Sequence, residues 1–575
     1  MQTPPPREPS VGKTDTLGVV EKEREVRQAS VLPSPKRSSR ANGDSLGRYF
    51  SHLATGREKV LTVKTDLYTA NISTKGGLIK KWELSRYQSW DGHPVQMVDP
   101  DRDGDLGLLF LSSDGKEIRT RSLYFDSDYT NGSRVELTGD QTFTATLVLA
   151  ISGTQRILKK LTFKNGTYDL SAEIELYNLA DVISNFEYQV TWETGIRYAE
   201  QNSIDESSFA MAYAYSGGEL AEVDATSFEE TAKRDINGAT SWVAMRNKYF
   251  ATALIAADGL SQGAYLEGYK VPQPDKGEKE EYSMSLKMPF KGMLAEKAKI
   301  TIFLGPLDFD IITGYEIALD QIISLGATWI IRPISEYVMI PLFNLLHFFI
   351  PNYGIVIIVF SIIIKVVLHP LSKTTMKSMR KMQALQPMMN ELREKYKDDP
   401  QKMNQQVMNL YKEYGVNPAA GCVPLILQMP ILFALYSVFR SAIELRQAGF
   451  VWWMSDLSVP DEAFVLPSPV PLLGIQSISG LALAMGITMF IQQKMTVTDP
   501  RQKAMVWMMP IMMTIIFNGL PAGLNLYYFV FNLLSIAQQA WLSKHHGSEP
   551  LRKVEKKAAG GLMGRLTKQL PKVRR

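Results

Sequence analysis

The chain has 575 residues, 45% of them hydrophobic, and a formal net charge of +4 at pH 7. This length leaves room for several domains, and the net charge says little about partners, since the basic residues matter by position. The single cysteine, Cys422, excludes an internal disulfide framework, and the six histidines show no metal-ligand spacing.

The first 56 residues are rich in proline, serine and charge and show no apolar periodicity. This composition is typical of a disordered tether that has no core to bury. The stretch also has no apolar run long enough for a signal peptide or a membrane anchor. We therefore expect that such an anchor was lost or removed, or that the sequence starts late.

Residues 57–306 alternate apolar and polar side chains at the period of a β-strand. Asn165-Gly166 separates two such runs and predicts a hairpin with a type I′ turn. The alternating positions include Tyr68, Ala70 and Ile72 in one strand and Phe186, Tyr188, Val190 and Trp192 in another. The pattern predicts a large antiparallel β-sandwich. Such a domain can bind sugars or peptides, but it shows no converging acids and no phosphate loop, so a structural or docking role is favoured.

Residues 307–350 mix apolar side chains with acids and are broken by Pro333 and Pro341. The segment is too polar to span a membrane, and we interpret it as an amphipathic helix at the membrane interface.

The run Gly354–Pro370 is apolar except for one cation, Lys365. A lysine in such a segment costs roughly 2.5–3.5 kcal/mol at the centre of a membrane helix. Two interpretations stay open at this point: the side chain snorkels to the headgroups, or it marks a functional site. Ser361, His369 and Ser372 recur with it at helical spacing, which suggests a wet face.

Residues 371–420 are charged and have helical periodicity on both sides of a turn at Asp398-Asp399-Pro400, which predicts a helical hairpin outside the bilayer. Pro387 should kink the first arm. The apolar seam includes Met382, Leu385, Met389 and Leu392. Its methionines either fill a thin two-helix seam or form a pliable surface for varied apolar partners.

Four more apolar spans are predicted, at about 422–439, 463–491, 504–520 and 522–542. The connections on one side carry 22 Lys and Arg residues, whereas the other side carries two, Arg440 and Arg446. By the positive-inside rule, the hairpin and the basic tail 543–575 are cytoplasmic and the β domain is external.

The last span has a polar stripe at Asn525, Tyr528, Asn532, Ser535 and Gln539. These side chains either hydrogen-bond between helices, or line a hydrated cavity together with Lys365 and with Gln428 of the second span.

Several motifs carry a resemblance to the YidC/Oxa/Alb membrane protein insertase family, in its bacterial form with a large periplasmic domain. They are NPAAGCVPLILQMPI at 417–431, HPLSK at 369–373, MGITMFIQQKM at 485–495, GLPAGLNLYY at 519–528 and WVAMRNKYFATAL at 242–254. The resemblance implies an α+β membrane protein in which a periplasmic, supersandwich-like β domain precedes a five-helix transmembrane core, 351–542, with a cytoplasmic helical hairpin. The family also has an N-terminal membrane helix, which this sequence lacks.

In that family a hydrophilic groove carries a cation, usually arginine, and Lys365 occupies the matching position. Ser361, Met485 and Tyr528 match positions that the family uses for client contact. Leu432 and Ile516 stand where aromatic residues can occur, so aromatic stacking is not expected there. The expected groove residues are Lys365, Ser361, Gln428, Asn525, Tyr528, Asn532 and Met485, and the expected capture residues of the hairpin are Met382, Leu385, Met389 and Leu392.

The implied function is an ATP-independent membrane protein insertase and chaperone of the bacterial inner membrane, acting alone or with the Sec translocon on nascent membrane proteins. It is not an enzyme and needs no cofactor, metal or small-molecule substrate. The basic tail is expected to contact the ribosome or anionic lipid, without specific nucleic acid binding. The alternative is a secondary transporter with a polar intramembrane site, which would predict internal repeats that the five unlike spans do not offer.

Overall fold

The computed structural model describes residues 46–257, 261–416, 423–470, 474–496 and 503–545. The chain forms a β-rich domain up to residue 306, and the rest is mainly helical. Cys422 and the basic tail after His545 lie outside the described residues.

The β domain contains twenty strands and two short helices among the described residues. The strands are β1 (Val60–Lys64), β2 (Tyr68–Ser73), β3 (Leu78–Gln88), β4 (Pro94–Gln96), β5 (Gly107–Leu111), β6 (Glu117–Arg119), β7 (Asp126–Ser127), β8 (Ser133–Glu136), β9 (Thr142–Ala150), β10 (Arg156–Lys164), β11 (Asp169–Tyr177), β12 (Glu187–Trp192), β13 (Met211–Ser216), β14 (Glu219–Val223), β15 (Ala232–Asn237), β16 (Thr240–Arg246), β17 (Phe250–Ala256), β18 (Gly263–Pro272), β19 (Glu278–Pro289) and β20 (Ala295–Pro306). The helices are α1 (Gly47–Phe50) and α2 (Ser203–Ser207). The tether expected over residues 1–56 is wrong for its last part, because α1 packs Phe50 fully buried into the core.

The strands form three sheets, in the orders β4-β3-β2-β1-β8, β14-β13-β16-β17-β20-β11-β10-β9-β7 and β15-β18-β19-β12-β5-β6. The nine-stranded sheet packs on the six-stranded sheet through β16 and β19. Pairing is antiparallel except for β1 with β8. The β-rich fold predicted from the alternation is confirmed, with one parallel pair added.

The predicted hairpin forms between β10 and β11, with Phe163 opposite Leu170. The predicted type I′ turn is wrong: it requires a positive φ at both Asn165 and Gly166, and of these two only Gly166 has one, of 82°. The side chain of Asn165 is instead drawn to another loop: its Oδ1 accepts from the amide of Asp66 at 2.8 Å and its Nδ2 donates to the Asp66 carboxylate at 2.6 Å. The turn at 165–166 is thus of another type, and the Asn165 side chain makes a long-range contact in addition.

Fully buried aromatic residues join the sheets. Trp82 of β3 stacks on Tyr68 with 3.8 Å between ring centroids and donates its indole N–H to the carbonyl of Leu304 in β20 at 3.0 Å. Burying such rings contributes the largest apolar areas to a core. The five-stranded sheet is therefore fixed to the nine-stranded one.

The part after residue 306 contains eleven helices among the described residues. They are α3 (Phe309–Thr313), α4 (Ile331–Ile334), α5 (Ile340–Phe349), α6 (Tyr353–Val367), α7 (His369–Ala384), α8 (Gln386–Lys395), α9 (Pro400–Glu413), α10 (Val423–Ser441), α11 (Gly480–Thr496), α12 (Lys503–Phe517) and α13 (Ala522–His545). Within the part of the chain that the structure describes, no helix is both long and apolar enough to cross a membrane.

The single interfacial helix expected over 307–350 is not continuous. It divides into α3, a 3₁₀ turn at Leu319–Ile322, and a helical run formed by α4, a π-helical turn at Ser335–Met339 and α5. Pro341 lies in the first turn of α5, where its missing N–H is tolerated. The change from π-helical to α-helical hydrogen bonding therefore occurs just before it.

The third predicted span, 463–491, is helical only from Gly480, in α11. The described residues before it, 463–470 and 474–479, contain a two-stranded ribbon, β21 (Phe464–Val465) and β22 (Ser477–Ile478). Prolines at 467 and 469 explain the difference, because proline removes the amide that a helix interior needs. In the hairpin, α7 ends at Ala384 and α8 begins at Gln386, which is the break expected at Pro387.

Two arginines at the end of α10 and just after it connect the helical part to the β domain. Arg440 pairs with Asp205 of α2, which also accepts from Lys248 at 2.8 Å. Burial raises the pKa of the Asp205 carboxyl, but Lys248 and Arg440 more than offset it and hold that pKa below its usual value. Arg446 donates to the Glu200 carboxylate at 2.5 Å, and its side chain is only 2% exposed.

Candidate functional site

Helix α13 is the element around which the other long helices assemble, because α6, α10 and α11 all contact it. Asn352 begins α6 by accepting the amide of Ile355 at 3.1 Å on its side chain. This cap fixes the start of the helix and therefore the height at which each later side chain meets α13.

Lys365 lies in the last turn of α6 and is half-buried against α13. Its Nζ donates to the hydroxyl of Ser535 at 2.6 Å and lies 4.4 Å from the ring centroid of Phe531. Among the described residues no carboxylate pairs with it. The ammonium is held by a hydroxyl and an aromatic face, which leave it donors for an incoming anion.

Ser361 lies one turn before Lys365 and is fully buried. Its hydroxyl donates to the carbonyl of Ile357 at 2.7 Å, within its own helix. Asn525, at the other end of the site, is also fully buried, and its Nδ2 donates to the carbonyl of Phe517 at 3.1 Å. Both side chains satisfy backbone carbonyls, and Asn525 thereby ties α13 to the end of α12.

Met485 and Tyr528 are brought together, since both belong to an apolar cluster with Phe517. The rings of Tyr528 and Phe517 meet edge to face with 5.2 Å between centroids. Gln428 of α10 lies near the hydroxyl of the fully buried Tyr527. Asn532 is half-buried on α13.

The four expected capture residues pack in the seam between the two arms of the hairpin. Leu385 and Met389 are buried, with Met382 and Leu392 packed partly buried against them, and Tyr411 of α9 donates its hydroxyl to the sulfur of Met389 at 3.3 Å. This placement favours the first alternative from the sequence, in which the methionines fill the seam.

Two residues that touch the ammonium were absent from the predicted groove set. Ser535 belonged to the polar stripe of α13, so its spacing was the available signal. Phe531 offered no such signal, because an aromatic residue in an apolar run has no polar signature. A second polar contact forms at the same end of the helices, where Gln538 Nε2 lies 2.9 Å from His369 Nδ1.

Two family models match successive parts of the chain. The family model of the YidC periplasmic domain matches residues 60–336, and that of the 60Kd inner membrane protein matches residues 345–549. The membrane protein insertase YidC of Chlorobaculum tepidum is 40% identical over 521 residues, covering 90% of this chain and 87% of that protein. The YidC insertase of Chlorobium phaeovibrioides is 40% identical over 546 residues, covering 92% and 91%.

Among solved structures, an active YidC insertase with its first transmembrane domain resolved is similar with a TM-score of 0.36 and 19% identity, covering 85% of this chain and 96% of that one. The matches define an inner-membrane class of protein with a separate periplasmic domain. More narrowly, the chain belongs to the YidC family of membrane protein insertases, which are not classical enzymes.

Proposed function

We propose that the chain inserts newly made membrane proteins without ATP, by drawing a polar segment of the client toward Lys365 along a hydrophilic groove between α6 and α13. The main support is the half-buried Lys365 ammonium, whose partners are the Ser535 hydroxyl and the Phe531 ring. Among the described residues, it has no carboxylate partner. The groove set stays as predicted from the sequence, with Ser535 and Phe531 added.

In this proposal α6, α10, α11, α12 and α13 form the membrane core, with α7–α9 cytoplasmic and the β domain periplasmic. The positive-inside count and the match to an inner membrane protein family support this arrangement. Capture by the hairpin requires its arms to part, because Leu385 and Met389 are buried in the closed seam.

The physical drive is partitioning of the client helix into lipid together with the membrane potential. At about 4 Å and an effective dielectric constant near 20, a client carboxylate gains roughly 4 kcal/mol from the Lys365 ammonium. A potential that is positive outside adds about 2.3 kcal/mol per charge per 100 mV for an acidic tail that leaves the cell.

The proposal retains three partners: nascent membrane proteins, the Sec translocon, and the ribosome or anionic lipid. The last contact is assigned to the basic tail, which lies outside the described residues. Truncation after Gly547 should reduce ribosome co-sedimentation at low salt if the tail binds the ribosome.

The test is insertion of an acidic-tailed client by the full chain in liposomes. Lys365→Met should leave the protein folded and slow insertion at least tenfold, whereas Lys365→Arg should keep most activity, because positive charge is what the site supplies. Ser361→Lys should partly restore activity in the Met background. Lys494→Met, which removes an exposed cation at the end of α11, is the matched control and should be neutral. Unchanged insertion by Lys365→Met at a normal protein level would overturn the proposal.

A further inference from the structure

The connection between α10 and α11 exposes a group of large apolar side chains, which we call the aromatic tip. It consists of Val451, Trp452, Trp453, Phe464 and Val465, which are 40%, 88%, 43%, 62% and 65% exposed. The surrounding segments, 447–455 and 463–479, contain no Lys, Arg, Asp or Glu. The five side chains of the tip are thus apolar, and the exposed Glu462 borders them next to Phe464.

The backbone holds Trp452 outward in an unfavourable conformation. Its φ is +53°, in the left-handed region that bulky residues rarely adopt. The turn is closed by the amide of Phe450, which donates to the carbonyl of Met454 at 2.9 Å. In water, exposing an indole offers no free energy that would offset this backbone strain. An apolar partner for the ring would offset it.

The tip is mounted on the first turns of two helices of the site. The ring of Phe450 fills the space over Gly354 in α6, where any Cβ would overlap it. Trp453 lies over Gly480 in α11, where a Cβ would lie 2.7 Å from the indole. The tip therefore bridges the beginnings of the helices that carry Lys365 and Met485.

A buried carboxylate fixes the contact between Trp453 and the start of α11. Asp461 accepts from the indole N–H of Trp453 at 2.8 Å and from the amides of Gly480 and Leu481 at 2.8 and 3.2 Å. A carboxylate that accepts the first amides of a helix is stabilised by the helix dipole. Through this carboxylate, the Trp453 ring is connected directly to the first residues of α11.

We propose that the aromatic tip inserts into the headgroup and upper acyl region of the external lipid leaflet and sets the depth of α6 and α11. Indole rings prefer this interface, and the five side chains of the tip carry no charge that lipid would have to desolvate. The proposal rests on the membrane placement of α11 in the proposed function.

Continuity along α11 supports the same occupant. Gly480, under Trp453, is followed on the same helical face by Leu483 and Ile487, which are 39% and 61% exposed. Exposed apolar side chains therefore continue from the tip along this face of α11, as a single lipid-facing surface would.

The test is spin-label accessibility in the full chain reconstituted in lipid nanodiscs. Cys422 is the single cysteine, so a Cys422→Ser background lets one label be placed at a time. Labels at Trp452→Cys and Phe464→Cys report on the tip, and Ile487→Cys reports on the lipid-facing side of α11. Leu294→Cys, 80% exposed in the turn before β20, is the aqueous reference.

The expected result is an oxygen-to-nickel-complex collision ratio at the two tip sites several-fold above that of Leu294→Cys and below that of Ile487→Cys. Tip ratios equal to the aqueous reference while Ile487→Cys stays lipid-exposed would overturn this proposal alone. An aqueous ratio at Ile487→Cys would overturn the placement of α11 and the tip with it. Spin–spin broadening at the tip would assign it to a second copy instead of lipid and would also overturn the proposal.

Discussion

Removing Arg446 should loosen the contact between the β domain and the helical part. The guanidinium donates to Glu200 and to the carbonyl of Gln88, each at 2.5 Å, and lies 5.4 Å from the ring centroid of Phe250. Taking one partner from a buried ion pair costs about 3–5 kcal/mol, because the other charge is left in a poorly hydrated place. Glu200 keeps 13% exposure, so we expect the lower end, about 3 kcal/mol, for Arg446→Met.

The assay is amide hydrogen exchange of the full chain at the contact. The amide of Trp90 donates to Ala199 on the β side and that of Ala448 donates to Leu445 on the helical side. If both amides exchange through separation of the two parts, about 3 kcal/mol corresponds to a rate increase of roughly 150-fold in Arg446→Met.

A second variant and a matched control make the reasoning refutable. Glu200→Gln combined with Arg446→Met removes both charges, so the double variant should exchange more slowly than Arg446→Met alone. Lys64→Met breaks an exposed pair with Glu136, where the side chains are 42% and 55% exposed, and should change exchange less than about threefold. Equal effects of Arg446→Met and Lys64→Met would refute the account of a buried pair.

Two further predictions concern packing and pH. Gly354→Ala should destabilise the chain by about 1–3 kcal/mol, since its Cβ would overlap the ring of Phe450, whereas Gly519→Ala meets nothing within 4 Å and should be nearly neutral in the same thermal unfolding measurement. Burial lowers the pKa of Lys159 from 10.5 to about 7, with Asp105 opposing it. Between those values the unfolded chain binds one more proton, so the free energy of unfolding should rise with pH by up to roughly 1.4 kcal/mol per unit from pH 7 to 10. Lys159→Met should lack this slope in urea unfolding; the same slope in both proteins would contradict the assignment.

The strands of the β domain could be predicted because alternation is local. Tyr68, Ala70 and Ile72 are all fully buried on one face of β2. Lys159 marks the limit of that reasoning, since it occupies an inward position of β10 and donates to the carbonyl of Leu106 at 2.7 Å. Only the tertiary fold supplies that acceptor, so the sequence offered no reason to place a lysine inside.

The helices were harder to predict where an apolar stretch was longer than the helix that it contains. The apolar stretch that starts at 463 looked like helix, but prolines and a two-stranded ribbon occupy its first part, and α11 begins only at Gly480. Lys365 could be found because a cation in an apolar run is expensive wherever it lies. Its partners, Ser535 and Phe531, could not be assigned, because 170 positions separate the lysine from the serine and only the packing of α6 on α13 joins them.

Taken together, the two proposals favour the functional interpretation of Lys365 over snorkelling. Gly354 lies under the tip, and Lys365 follows eleven residues later in α6, about 16 Å along the helix axis. If the tip sits at the external boundary of a hydrocarbon core of about 30 Å, the ammonium lies close to the mid-plane, roughly 14 Å from the cytoplasmic boundary. A lysine stem extends only about 6 Å, so snorkelling cannot bring the charge to those headgroups. Since α6 ends two residues later at Val367, this depth places the first turn of the otherwise cytoplasmic helix α7 within the inner leaflet, so water has to enter from the cytoplasmic side as far as Lys365. The depth proposed for the tip thus supports the hydrated groove of the proposed function.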